Sequence, residues 1–184
     1  MKTYLVLEKS FGRVSSLVGT ISHRYVKKVI PNSDDVSSHV LLLFSNGEAW
    51  ESHAHTGGFF PVTLKELKSQ KKERVWHIKL PLTQPESALC KEDCRLAWGK
   101  HDYDMRLIAR IGLNAAFRIP IPRTPGKWDC SEAVTRLLLP YRVNLMEKTK
   151  EWTKSNTHPD RVQPGMIQAA YLLEECLEDG YPEI

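Results

Sequence analysis

The stretch Trp128-Asp129-Cys130-Ser131-Glu132-Ala133-Val134 constrains the fold more than any other, because the apolar residues that begin in it recur at helical spacing. Cys130, Ala133, Val134, Leu137 and Leu138 fall at i, i+3, i+4, i+7 and i+8, and Pro140 ends the run. One face of this helix packs against a core and carries Cys130 with it. Asp129 is placed to cap the helix and Glu132 lies in its first turn, where carboxylates suit the positive end of the helix dipole. The same field favours a thiolate, the form in which cysteine attacks. The alternative is that Cys130 is a small buried apolar residue, as free cysteines often are. The helix alone does not separate the two.

A cysteine nucleophile needs a base, and the base needs a polar group to orient it. The segment from Ser38 to His53 offers both: an apolar strand led by His39, the turn Ser45-Asn46-Gly47, and a second strand carrying Glu51 and His53. Register decides whether they meet. A two-residue Asn46-Gly47 turn pairs Leu42 with Glu51 and sends Glu51 to the face opposite His39. A three-residue loop with Gly47 left-handed at a bulge pairs Leu41 with Glu51. His39 and Glu51 are then diagonal neighbours on one face, about 7–8 Å apart at the backbone. That register also sets His53 opposite His39, as a reserve orienting residue. Both loop lengths are open on sequence.

Three separated segments resemble the circularly permuted, papain-like cysteine hydrolases related to the NlpC-type amidases, especially the YiiX-like branch. Trp128 to Val134 is similar to the family's nucleophile block. Ser38-His39-Val40 followed by Glu51 resembles the block that supplies base and orienting residue. Trp98-Gly99-Lys100-His101-Asp102-Tyr103-Asp104 is similar to the family's Gly-Lys-x-Tyr-Asp segment, with one additional residue. His39 precedes Cys130, which is the permuted order, and the likeness spans roughly residues 36 to 138. The family's strand after the histidine usually carries small residues, where this chain has Val-Leu-Leu-Leu-Phe.

The resemblance implies an α+β fold, an antiparallel sheet packed against helices with the nucleophile at a helix N-terminus, and length and composition fit one catalytic domain over residues 1–184. The resemblance also implies a peptidase or amidase that works through Cys130, His39 and Glu51 and a thioacyl-enzyme intermediate. The backbone amide of Cys130 or Ser131 would face the oxyanion, and Tyr103 would add a donor or line the site. Tyr103 as a core aromatic and Ser131 as an ordinary first-turn residue are the plain alternatives. The expected partner is a peptide or acyl-amide substrate, with no cofactor. A thioester-mediated acyltransferase or lipid hydrolase on the same fold, or a non-catalytic binding module, are the competing functions.

With 184 residues and 41% hydrophobic content the chain can bury a full core. A net charge of +4, evenly spread, gives no reason to expect nucleic acid. The N-terminal apolar run Tyr4-Leu5-Val6-Leu7 ends at Glu8, too short for a secretion signal, and Val40 to Phe44 cannot span a bilayer. Together with four cysteines this leads us to expect reduced thiols and a cytoplasmic protein. A zinc site from Cys90, Cys94, His53 and His55 has the right ligand chemistry but poor spacing, and no metal is expected.

The remaining pattern predicts a strand over Thr3–Glu8, a loop or helix over Arg13–Ile30 and a turn at Pro31–Asp35. It continues with a solvated helix face over Lys65–Arg74 and a third strand over Arg74–Leu80. Residues 85–118 read as helical, Arg118–Trp128 as a loop, and Met166–Leu177 as a closing helix. The acidic residues from Glu174 to Glu183 read as a solvated face.

Overall fold

The computed structural model of the chain describes residues 1–11, 13–53, 57–104, 106, 125–149 and 162–184. In chain order its elements are β1 (Thr3–Ser10), α1 (Arg13–Val26), β2 (His39–Phe44), β3 (Glu48–His53), β4 (Gly58–Thr63), α2 (Leu64–Ser69), β5 (Lys72–Lys79) and α3 (Gln84–Ala97). After these come β6 (Asp102–Tyr103), β7 (Lys127–Trp128), α4 (Cys130–Leu138), α5 (Leu145–Lys148), α6 (Pro164–Leu173) and β8 (Glu178–Asp179). The strands form one curled sheet in the order β7-β6-β4-β3-β2-β1-β5-β8. Every pairing is antiparallel except β6 with β7, so the class is α+β.

β1 and β2 are apolar at consecutive positions because both faces of the sheet are covered where they lie. Leu5, Leu7, Val40, Leu42 and Phe44 join a large cluster with residues of α3, α4, α5 and α6. Tyr4, Val6, Leu41 and Leu43 join a second cluster with Ala49, Val62 and Leu67. The unbroken run Val-Leu-Leu-Leu-Phe is thus a strand buried on both sides, each large side chain contributing about 1.5–3 kcal/mol on leaving water. Trp50 anchors the first cluster, stacking on Phe59 with ring centroids 5.5 Å apart.

The hairpin between β2 and β3 uses the three-residue loop. Leu42 pairs with Trp50 and Leu43 with Ala49, and Gly47 is left-handed at φ 82°. The Gly47 amide donates to the Phe44 carbonyl at 2.9 Å, closing the turn. A side chain at Gly47 would meet the left-handed penalty, which is why glycine serves there.

Helix boundaries follow local chemistry. Thr63 with Glu66 and Thr83 with Glu86 make capping boxes that start α2 and α3. α3 ends at Ala97, ahead of a left-handed Gly99 at φ 70°, so the helical reading of 85–118 is corrected: the chain turns and enters β6. The later part of that expectation, with Leu107, Ile108 and Ile111, lies outside the described residues, as do residues 118–124 of the expected loop. Lys127 and Trp128, expected in that loop, form β7. The helix face over Lys65–Arg74 stops at Ser69, because Lys72 already pairs in β5. α6 spans Pro164–Leu173 and stops short of Leu177, freeing the chain for β8, whose Glu178 and Asp179 pair with His77 and Trp76. Among the described residues, no helix is long and apolar enough to cross a membrane.

β4 and β6 pair at Gly58, opposite Asp102, between the Phe59–His101 and Tyr103–Gly57 hydrogen bonds, and this approach tolerates no side chain. A Cβ added at Gly58 would stand 2.5 Å from the carbonyl oxygen of His101. Gly58→Ala is therefore expected to part β4 from β6 and lower stability by about 1–3 kcal/mol, the range typical of overpacking. Urea unfolding of the two proteins measures it, and an unchanged midpoint would mean the strands separate freely.

Candidate active site

Cys130 is the first residue of α4. Asp129 caps the helix, its carboxylate accepting from the Glu132 amide at 2.8 Å and its carbonyl from the Ala133 amide at 3.0 Å. The amides of Cys130 and Ser131 lie ahead of these in the first turn, where helix geometry supplies no internal acceptor. Ser131 is not available as a side-chain donor. Its hydroxyl lies 2.7 Å from Asp129 Oδ1 and 2.6 Å from the Val162 carbonyl, and its one proton is shared between them. Its hydroxyl thus anchors the helix start to the chain leading into α6.

His39 opens β2, and its Nε2 lies 2.6 Å from Glu51 Oε2. A carboxylate only accepts, so Nε2 carries the proton and Nδ1 is left for another partner. Cys130 lies close enough to the imidazole to raise its proton affinity through charge and hydrogen bonding. The body of α4 lies with Val40, Leu42 and Phe44, whereas alternation places His39 with Leu41 and Leu43. Thiol and imidazole consequently meet where β2 begins, at the end of the strand rather than through the sheet. Cys130, His39 and Glu51 are only 5%, 8% and 4% exposed.

Charge and burial act against each other here. Burial by itself lowers the proton affinity of His39. The charge and hydrogen bond of Cys130, followed by the hydrogen bond and charge of Glu51, outweigh it and hold the imidazole well above its ordinary 6.5. Burial raises Glu51, but the His39 hydrogen bond and the charges of His39, His53 and Lys72 take it below the usual carboxylate value. The two shifts agree in direction: each partner favours the charged form of the other.

The other expected residues gather around this pair. His53 packs edge-on to His39 with ring centroids 5.5 Å apart, while Glu51 takes the hydrogen bond. Tyr103 pairs with Trp128 across β6 and β7, two residues before Cys130. Burial first, then the charges of Cys130, Asp129 and Asp104, push the Tyr103 phenol up, so it remains a proton donor at neutral pH. Ser52 was not anticipated. Its hydroxyl donates to the Trp128 carbonyl at 3.0 Å and ties β3 to the strand that delivers Cys130. A serine one residue after Glu51 carries no signal for such a contact, which joins elements distant in sequence.

Cys90 and Cys94 are buried in the core cluster, and His55 lies outside the described residues. Among the described residues, no group of three or more histidine, cysteine or acidic side chains could hold a metal ion. No protein-family model matches the chain, and no curated protein matches it significantly.

The stabilising effect of the His39–Glu51 pair has a defined pH window. Glu51, lowered, contributes above its ordinary pKa and loses that contribution as pH falls through the lower folded value. His39, raised, contributes below 6.5 and loses it as pH rises through the higher folded value. The stability advantage of the native chain over Glu51→Gln should therefore peak between the two folded pKa values and decline on either side. Breaking a buried pair typically costs about 3–5 kcal/mol. Thermal unfolding of both proteins from pH 4 to pH 9 checks this, and a flat difference would rule the ion pair out.

Proposed function

We propose that this chain is a cysteine-dependent hydrolase of amide bonds, with a circularly permuted papain-like fold. The observation that carries the reading is His39, held at 2.6 Å by Glu51 through Nε2 and raised in proton affinity by Cys130 beside it. Three residues from three elements converge there, in the order that nucleophile, base and orienting group require.

In this reading the Cys130 proton resides on His39, and Glu51 fixes the tautomer and balances the imidazolium charge. The Cys130 sulfur attacks the substrate carbonyl, forming a C–S bond as the carbonyl π electrons move to oxygen. Amides in the first turn of α4 face that oxygen, aided by the helix dipole. The Tyr103 hydroxyl is a further donor, since its raised pKa keeps it protonated. The tetrahedral intermediate collapses with loss of the amine, which takes the proton from His39, and leaves a thioacyl-enzyme. His39 then draws a proton from water, whose oxygen attacks the thioester, and carboxylic acid and Cys130 are released. Removing one oxyanion donor typically costs about 10²–10³ in rate, and Tyr103→Phe is expected near the lower figure.

The first test is chemical and needs no substrate. Alkylation by iodoacetamide, located by mass spectrometry, should modify Cys130 rapidly below pH 7 and slow at least tenfold in His39→Ala, since about one unit of pKa is tenfold in thiolate. Cys176, which is exposed, is the internal standard. Labelling of Cys130 no faster than that of Cys176 in either protein would sink the hydrolase reading.

A further inference from the structure

Behind His39 and Glu51 lies a buried ionic tier that the mechanism does not use. Glu8 is fully buried and is the direct cross-strand partner of His39. Its carboxylate faces the Lys72 ammonium at 2.6 Å through Oε2 and accepts from the Tyr181 hydroxyl at 2.5 Å through Oε1. Lys72 is nearly buried too, and its charge reaches Glu51.

Tyr181 is brought there by a strap of chain that crosses β5. β8 pairs with Trp76 and His77, the Gly180 amide donates to the Val75 carbonyl at 2.8 Å, and His77 Nδ1 donates to the Gly180 carbonyl at 2.9 Å. The other ring nitrogen of His77 lies 3.3 Å from Glu178, and Tyr181 packs on the Leu41 and Leu43 cluster.

We infer that this strap is a positioning element of the site: Tyr181 and Glu8 together hold Lys72, so that Glu51 remains committed to His39. Two carboxylates feel this one ammonium, which lies against Glu8 at 2.6 Å and donates to Ser10 Oγ at 3.3 Å. Glu8 holds it, with Tyr181 as a second donor, and Glu51 is left to the imidazolium. The inference rests on the functional reading above.

The groups facing His39 are Cys130 from α4, Glu51 and His53 from β3 and Glu8 from β1, with Lys72, Tyr181 and Tyr103 in the next rank. Neutralising Glu8 by Glu8→Gln frees the ammonium to turn to Glu51, and the imidazolium loses its partner. Tyr181→Phe removes the hydroxyl that fixes the orientation of the Glu8 carboxylate against Lys72, and acts in the same direction, more weakly.

The experiment is the pH profile of Cys130 alkylation in the full-length chain, with native protein, His39→Ala, Tyr181→Phe and Glu8→Gln side by side. The expected result is a His39-dependent rate at pH 6 to 7 that falls about tenfold in Glu8→Gln and about threefold in Tyr181→Phe. The upper limb should move to lower pH by roughly one unit per tenfold. Profiles of both variants that superimpose on the native one, or rise above it, overturn the inference, even with a lowered melting temperature, because the strap would then be structural alone. A native profile without His39 dependence defeats the functional reading itself, and the two failures are thereby distinguished. Should Glu8→Gln not fold, Tyr181→Phe, which deletes one hydroxyl, carries the decision.

Discussion

Everything at the site depends on the register between β2 and β3, and that register depends on a single left-handed residue. With Gly47 at φ 82° the loop has three residues, and Leu42 faces Trp50. Shifted by one, Glu51 would move to the other face of the sheet and the 2.6 Å contact with His39 could not form. The same shift would remove Trp50 from Phe59 and put a glutamate into the main core. Core packing and site geometry therefore select the same pairing. The hydrophobic cost of the wrong register, several kcal/mol for one misplaced tryptophan, exceeds any preference of the turn itself.

The His39–Glu51 pair is weak as a source of stability, because burying two charges costs nearly as much as their attraction returns. Its consequence is chemical. A histidine fixed by a carboxylate on one side keeps its other side towards Cys130, and burial of all three groups keeps water from competing for those contacts. The helix start is secured with comparable economy. Asp129 holds the Glu132 amide and the Ser131 hydroxyl, Ser131 is shared with the Val162 carbonyl, and Ser52 holds the Trp128 carbonyl just upstream. Cys130 thus sits at a junction tied to β3 and to the chain entering α6.

What was legible in the sequence is what repeats locally. The helix from Cys130 shows its period and its cap in nine residues, and the β2–β3 hairpin shows two strands around Ser-Asn-Gly. The two strand registers remained open because the choice between them is made by Trp50 and the second cluster, which are tertiary facts. β4 was not anticipated: Gly58-Phe59-Phe60-Pro61 mixes a proline and a glycine into a strand that pairs fully only on the β3 side. β6, β7 and β8 have two residues each, too few for any period to appear. Glu8, Lys72 and Tyr181 lie on β1, on β5 and after β8, so only the folded sheet makes them one group.

The two-sided burial of β2 also partitions the molecule. Leu42 belongs to the cluster that supports α4, and its neighbour Leu43 to the cluster beneath Tyr181. Substitutions on opposite faces share few contacts, and effects without shared partners combine almost additively. The sheet then acts as insulation between two compartments of the core. Sequence drift can retune the ionic tier behind the histidine while the platform that carries the cysteine stays unchanged, and the reverse holds equally.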